Sequence, residues 1–457
     1  MDRRKFLIMA GAAISGFNLY GQNNSTEPPN IIWLIADDAG WNDFGCYGNS
    51  VVKTPNIDGL AQQGLKFTQA FVTSPQCSPS RASFWTGKYA HSMGVEDLHS
   101  PLTEKEKIFP EYLKKKNYHT GNVGKLHLGK PSKEKFDFIS RDIDDWKKFL
   151  NKRPTQNPFF LALGFHQPHR PFKYKNISHN YSRQNIIVPP YLPKLKQVKQ
   201  DFTRYYNEIT KMDVKIGSLL NYLSKKDLKK DTLIIFWSDN GLPFPRAKGL
   251  LYDPGIRSPL IFYWKNKIQH GVCRQLTSIL DIVPTLLEML NIHIPQEIQG
   301  ESFLQTLDNI NTSYREFIYA ERNWHDLDDH IRAVRSTRYK FIRNYLPWRP
   351  YTLPADVYNS PTFRAMKKAK RKGLLSKHER LLFRWPRPPE ELYDLAKDPN
   401  EFNNLANKKE YEEIQNKLRK QLQIWEERTD DVPVDKRKPD KYNYHKLFNK
   451  STMDIQD

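Results

Sequence analysis

Asn30-Ile31-Ile32-Trp33-Leu34-Ile35-Ala36 runs directly into Asp37-Asp38. A continuous apolar run of this length, with no polar residue alternating along it, suits a strand covered on both faces of a sheet. The acids that end it set two carboxylates at its carboxyl end. Phe159 to Phe165 repeats the pattern and ends in His166; Thr232 to Trp237 repeats it again and ends in Ser238-Asp239-Asn240-Gly241. Three such strands predict an α/β domain whose site lies beyond the strand ends, where loops from neighbouring strands converge. Between the second and third, Phe202 to Leu223 carries Tyr206, Ile209, Met212, Ile216, Leu219, Leu220 and Leu223 at near-helical spacing, which predicts a helix packed on the sheet.

After about residue 310 the pattern changes. Phe317-Ile318-Tyr319 and the alternating Ile331 to Tyr345 predict strands of a smaller antiparallel sheet, and Tyr411 to Thr429 predicts an amphipathic helix. Lys367-Lys368-Ala369-Lys370-Arg371-Lys372 is a charge run of the kind that forms a solvated face. The tail beyond Pro433 is polar and expected to be irregular. At the start, Met1-Asp2-Arg3-Arg4-Lys5 precedes a short apolar run to about Phe17 and a polar exit, the order of a secretory signal peptide. Arg3-Arg4 also fits twin-arginine export, with the general secretory route as the alternative. The expected organisation is a signal peptide over 1–22, a catalytic domain over 23–310 and a C-terminal subdomain over 311–457, in a periplasmic or secreted protein. No stretch reaches the 18 or so apolar residues of a membrane span.

With 457 residues, 38% hydrophobic and 13% aromatic, the chain can bury large cores and is not a disordered protein. Its formal charge of +21 favours polyanionic partners. No helix-turn-helix, zinc-finger or RNA-binding motif accompanies that charge, so a polyanion other than nucleic acid suits it better. Three cysteines, Cys46, Cys77 and Cys273, cannot make a disulfide framework; a Cys46–Cys273 bridge is the one conceivable pair, and free thiols are expected instead.

Cys77-Ser78-Pro79-Ser80-Arg81, followed by Ala82-Ser83-Phe84-Trp85-Thr86-Gly87-Lys88, resembles the signature of type I sulfatases. The resemblance implies that Cys77 is oxidised to formylglycine (3-oxoalanine) by a formylglycine-generating or anaerobic sulfatase-maturing enzyme. A chemical reason for the modification can be given independently. An alcohol or thiol that attacked sulfur would be left as a stable sulfate ester, whereas a gem-diol keeps a second hydroxyl whose deprotonation expels sulfate and regenerates the aldehyde. Unmodified Cys77 is expected to be a poor catalyst. The family also implies an alkaline-phosphatase-like α/β sandwich with a central mixed sheet and a smaller C-terminal α+β domain.

Asp37, Asp38, Asp239 and Asn240 offer hard oxygen ligands at strand ends, although each could instead be a helix cap or turn residue. Beside Cys77 they are similar to the family's calcium site, which Cys77 completes. Tyr118-His119-Thr120-Gly121-Asn122-Val123-Gly124-Lys125-Leu126-His127-Leu128-Gly129 resembles the second sulfatase signature, with Asn117 in place of the usual Gly before Tyr and Leu126 in place of an aromatic. The resemblance gives Lys125 to sulfate binding and His127 to deprotonating the gem-diol. It makes His169, in Gln167-Pro168-His169-Arg170-Pro171, the general acid; His166 is open to lining the pocket or to satisfying a backbone carbonyl, the structural role being favoured. Lys248 becomes the second sulfate-binding cation, with Arg246 its rival, and Arg81 supports the formylglycine by donating hydrogen bonds.

Asp239-Asn240-Gly241-Leu242-Pro243-Phe244-Pro245, Tyr358-Asn359-Ser360-Pro361-Thr362-Phe363 and Glu391-Leu392-Tyr393-Asp394-Leu395 narrow the resemblance toward the heparan N-sulfatase (sulfamidase) branch. Gln167 stands where that branch has Asp, and Lys248 where it has Arg. Those departures bear on the amine-recognising end of the pocket, and the resemblance to sulfatases exported by polysaccharide-degrading bacteria implies as substrate an O-sulfated oligosaccharide of an algal glycan such as ulvan, with N-sulfoglucosamine of heparan-type glycans as the alternative. His325 and Arg322, in the polar and aromatic segment 321–330, are the candidates for contacting the sugar, and Trp324 for stacking on it; a solvated inter-domain loop is the competing reading of that segment. Two other classes stay open. A phosphatase or phosphonate hydrolase of the same superfamily would share fold and carboxylates, and a degenerate relative would bind sulfated glycans without turnover.

Overall fold

The computed structural model describes residues 28–97, 100–172, 181–326 and 328–431. The segments read as signal peptide and polar tail lie outside the described residues. The strands, in chain order, are β1 Asn30–Ala36, β2 Leu65–Phe67, β3 Ala70–Phe71, β4 His119–Gly124, β5 Phe138–Ser140, β6 Phe159–Gly164, β7 Thr232–Ser238, β8 Leu260–Tyr263, β9 Gly271–Cys273, β10 Thr277–Ser278, β11 Ile318–Trp324, β12 Asp328–Arg335, β13 Tyr339–Asn344 and β14 Glu390–Asp394.

Eight of them form one sheet in the order β5-β4-β6-β1-β7-β8-β2-β9. The five from β5 to β7 run parallel, while β8 runs antiparallel to both β7 and β2, so the sheet is mixed. The first strand sits near its middle, and every residue from Ile31 to Ala36 is buried, as its unbroken apolar run requires. Trp33 anchors one face of the sheet. It stacks on Phe109 at 5.1 Å and meets Trp85, Phe160 and Trp237 at 4.8, 5.1 and 5.1 Å. Phe84 and Trp85 belong to the helix Cys77–Thr86, so this aromatic cluster fixes the helix that begins at Cys77 against the central strands.

Register levels the strand ends. Gly124 pairs with Gly164, Ile35 with Gly164 and Ala36 with Ser238, so the next residues of β4, β1 and β7 emerge side by side as Lys125, Asp37 and Asp239. Backbone bonds run past the strands: Asp239 N–H donates to Ala36 O (3.1 Å), Asp37 N–H to Gln167 O (3.0 Å) and Lys125 N–H to Gly164 O (2.7 Å). Gly164 has to be glycine for this closure, because a Cβ there would lie 2.0 Å from the Lys125 carbonyl oxygen. The predicted long helix spans Lys196–Lys225, and its Tyr205 hydroxyl accepts from Gly40 N–H (3.0 Å) and donates to Asp43 (2.7 Å), bracing the loop after Asp38.

The second sheet is antiparallel in the order β11-β12-β13-β14, and the predicted C-terminal helix, Glu412–Arg428, buries Leu418, Leu422 and Trp425 against Tyr319, Val334, Phe341 and Leu392. Segment 321–330 is therefore no solvated loop. Its flanks are paired strands with a bulge between Arg322 and Trp324, and buried Arg322 and Trp324 show why polar composition alone misled. The basic run lies on the helix Pro361–Arg371, which turns Phe363, Met366 and Ala369 inward and leaves Lys368, Arg371 and Lys372 exposed. Cys46, Cys77 and Cys273 are all free, as expected.

A buried ion pair ties the two sheets together. His91 Nδ1 lies 2.9 Å from Glu321 Oε2, and its Nε2 lies 2.9 Å from the hydroxyl of Thr429 beyond the C-terminal helix. Burial pushes each group toward neutrality, but the pairing prevails: it raises His91 above its usual 6.5 and holds Glu321 at about 2. His91 thus contributes stability below 6.5 that fades as pH rises through its raised value, and Glu321 contributes above 4.5 and fades toward about 2. Glu321→Gln is expected to cost roughly 3 kcal/mol between those limits, measured by thermal unfolding near pH 5.5, with a smaller loss well above the folded value of His91.

Candidate active site

Cys77 opens its helix, its thiol 3.4 Å from Asp37 Oδ1 and 3.6 Å from Asp38 Oδ1. Three carboxylates converge beneath it from two strand ends, and Asp37, Asp38 and Asp239 are each at most 1% exposed. Such burial is costly unless every charge is paired and hydrogen-bonded. Three cations, each from a different element, meet that demand. Lys125 Nζ contacts both oxygens of Asp37 at 2.8 and 2.7 Å, Lys248 Nζ reaches Asp38 Oδ2 at 2.7 Å, and Arg81 Nε reaches Asp239 Oδ2 at 2.7 Å.

Arg81 also donates to the Lys125 carbonyl (2.8 Å) and Ser80 to the Asp239 carbonyl (2.5 Å), so two residues of the Cys-x-Pro-Ser-Arg motif brace the strand-end loops. Asp38 N–H donates to Asp239 Oδ1 (3.1 Å), and Asn240 Nδ2 to Asp38 Oδ1 (2.8 Å). Burial works to raise Asp37, yet Lys125, His169, Arg81 and Lys248 hold it well below the ordinary carboxylate range. Asp239 is lifted by burial to about 6 even with Arg81 in contact. Burial, with Asp38 and Asp37, pushes the Cys77 thiol well up against the opposing pull of Lys125 and Lys248, which leaves it protonated and a poor nucleophile as it stands.

Asp38 and His127 both hold left-handed backbone, with φ of 69° and 62°. Non-glycine residues pay about 1 kcal/mol or more for that conformation, and it recurs where a side chain must be turned into a site. Asn117, in the place of the usual glycine, sits at φ 58°, which asparagine tolerates well. His127 is mostly buried, and burial, Lys125 and Arg81 push its imidazole down to about 3, so the ring is neutral. His169 Nε2 stands 3.7 Å from Asp38 Oδ2 and 3.8 Å from Asp356 Oδ2. Of the two roles open to His166, the structure shows the pocket-lining one: it is exposed and lines a cleft beside Lys125 and His127.

One residue at the site escaped sequence reasoning. Asp356 Oδ2 accepts from Lys248 Nζ at 3.0 Å, so Lys248 is clamped between Asp38 and a carboxylate 108 positions further along the chain. His325 and Arg322 support this clamp from behind. His325 Nδ1 lies 2.8 Å from Asp326, whose carboxylate receives Ala355 N–H, while the buried Arg322 guanidinium bonds the Gly249 carbonyl and Thr352 Oγ1 (2.6 Å). Arg246, the rival of Lys248, turns instead to the carbonyls of Asn400 and Glu401.

Ligand atoms of Asp37, Asp38, Cys77 and His169 lie within 4.8 Å of one another. The Asn240 side-chain oxygen, one terminal nitrogen of Arg81, His127 Nδ1 and Asp356 Oδ1 are buried with no hydrogen-bond partner. Native interiors seldom leave so many polar atoms unsatisfied in one place unless a ligand completes them. A hard divalent cation suits the carboxylates and the amide oxygen, and an anion suits the arginine and lysine nitrogens.

The sulfatase family model matches residues 29–144 and 138–292, and the N-sulphoglucosamine sulphohydrolase C-terminal model matches 246–369. This chain belongs to the sulfatase family. An ulvan-active sulfatase of Formosa agariphila is 32% identical over 87% of this chain and 75% of its own length. Human N-sulphoglucosamine sulphohydrolase is 30% identical over 89% and 91%. Among solved structures, one in complex with D-glucosamine-2-N,6-O-disulfate superposes with a TM-score of 0.71 at 20% identity, covering 90% of this chain and all of that one. The phosphonate monoester hydrolase of Agrobacterium radiobacter reaches 0.70 at 18% identity, over 88% and 96%. The sulfatase fold is thus the alkaline-phosphatase-like one expected, and the enzyme is a sulfuric ester hydrolase. In this sulfatase, Asp356→Asn is expected to lower kcat/KM by about ten- to a hundredfold by loosening the Lys248 clamp, read in steady-state kinetics with thermal unfolding as a check on folding.

Proposed function

We propose that this sulfatase is exported, carries formylglycine at Cys77, holds one calcium ion, and removes sulfate from oligosaccharides of an acidic sulfated polysaccharide, an ulvan-type algal glycan in the first instance. The observation that carries the reading is the buried cluster in which Cys77 lies between Asp37 and Asp38, with Lys125 and Lys248 poised beside it. The export reading rests on the N-terminal residue pattern; among the described residues no helix is long and apolar enough to cross a membrane. In this reading residues 23–310 form the catalytic domain, and 311–457 a subdomain that supplies Asp356 to the pocket.

Asp37, Asp38, Asp239 and Asn240 would hold the calcium together with the modified Cys77. Calcium would supply positive charge against the sulfate and the hydrated aldehyde. Formylglycine would supply a gem-diol, one hydroxyl to attack sulfur and one to be deprotonated so that sulfate leaves. Lys125 and Lys248 bind the sulfate oxygens, each already held by a carboxylate and so needing little reorganisation. The neutral His127 accepts the proton of the second hydroxyl, and the sulfate beside it favours the protonated ring. His169, between Asp38 and Asp356, protonates the leaving oxygen. Arg81 holds Asp239 and the Lys125 backbone in place.

The ulvan reading is supported by the Formosa agariphila relative and by Gln167 and Lys248, which depart from the sulfamidase pattern. N-sulfoglucosamine is the second reading, supported by the human relative and by the C-terminal model match. Sulfate release by aldehyde-bearing enzyme from O-sulfated ulvan oligosaccharides and from N-sulfoglucosamine, side by side, decides between them. Release from the algal oligosaccharides alone is expected; release from the N-sulfated sugar alone would make this a sulfamidase. Cys77→Ala, Asp239→Ala and His169→Ala are each expected to lower turnover by at least about a hundredfold. Chelation should abolish activity and calcium alone restore it, whereas restoration only by a pair of transition metals would favour a phosphonate-hydrolase chemistry.

A further inference from the structure

Beside Lys125 and His127 opens a cleft of about 560 Å³ whose other charged lining is Lys130, Lys133 and Arg141. None of these three makes an ion pair among the described residues, unlike the cations of the buried cluster. Most acids nearby in sequence are engaged elsewhere, Asp137 with Thr120, Asp142 with the backbone N–H of Asp144, Asp144 with Lys215 and Asp145 with Lys148, and the exposed Glu134 beside Lys133 is not part of the cleft lining. No carboxylate lines the cleft among the described residues. Ile139, 39% exposed, adds an apolar surface of the kind that meets the C–H face of a sugar ring.

The scissile sulfate already has Lys125 and Lys248, so three further unpaired cations exceed what one sulfate needs. Like charges gathered without counter-ions repel one another, and an anion that enters among them relieves that repulsion. We infer that Lys130, Lys133 and Arg141 form a subsite for a second anionic group, a uronate carboxylate or another sulfate, on the sugar adjoining the one that is desulfated. The inference rests on the proposed sulfatase reading and deepens it: the enzyme acts on oligosaccharides with an acidic neighbouring residue in preference to an isolated sulfated sugar. Side chains from the turn after His127 and from just beyond the end of β5 build this subsite, on the same cleft wall as Lys125.

The test compares a sulfated monosaccharide with a sulfated disaccharide that carries a uronate on the adjoining sugar, using aldehyde-bearing wild type and the Lys130→Gln/Lys133→Gln/Arg141→Gln variant. The variant is expected to raise KM for the disaccharide about tenfold, as loss of a few partly exposed charge contacts would, with kcat and the monosaccharide KM unchanged. Raising salt should weaken wild-type affinity for the disaccharide and have little effect on the variant. Replacing Arg141→Gln in that variant by the charge-keeping Arg141→Lys should recover part of the loss. Equal KM values for variant and wild type on the disaccharide, with the monosaccharide still turned over, would overturn the subsite while leaving the sulfatase reading intact. Should neither substrate turn over, calorimetric binding of the disaccharide to Cys77→Ser protein reads the subsite directly, and affinity unchanged by the triple substitution would overturn it.

Discussion

Three buried carboxylates, each paired with its own cation, two of those cations buried and Lys125 at the edge of the cluster, are the constraint on which the rest of this structure depends. Asp37, Asp38 and Asp239 leave water completely, and isolated ionised groups in such surroundings would be untenable. Lys125, Lys248 and Arg81 make them tenable, and each arrives on a different piece of chain. The level register of β4, β6, β1 and β7, the close approach at Gly164 and the aromatic seat of the Cys77 helix all serve to bring these six charges within hydrogen-bond reach.

The same balance explains why the C-terminal sheet is more than an appendage. A lysine as deeply buried as Lys248 needs more than one acceptor, and the second comes from Asp356, in a short helix held by Asp326 and by Arg322. His91 and Glu321 pair behind this region and fix the position of β11 relative to the main sheet. The pocket is thus assembled from both parts of the chain, and Asn240, Arg81, His127 and Asp356 each leave a buried polar atom without a partner there.

Much of this was legible in sequence because short-range rules govern it. An apolar run ending in Asp37-Asp38, a helical stripe from Tyr206 to Leu223 and the Cys77 motif each report on their own few residues. What was not legible depends on long-range placement. Asp356 sits just before a stretch singled out for its likeness to sulfamidases, yet nothing in its spacing connects it with Lys248 across 108 positions. His325 and Arg322 were assigned to the sugar from their polarity; folding turns them to Asp326 and to the Gly249 carbonyl, where they position the clamp. The segment around them read as a possible loop because charged side chains in a buried hairpin look like solvated ones until their partners are known.

The account stands or falls on Cys77 serving through its oxidised form, since the thiol itself is buried, protonated and wedged between two carboxylates. Its most direct test is to prepare protein with graded aldehyde content at residue 77, quantify that content by peptide mass, and plot sulfate turnover against it. A straight line through the origin is the predicted result. Substantial turnover at zero aldehyde would contradict it.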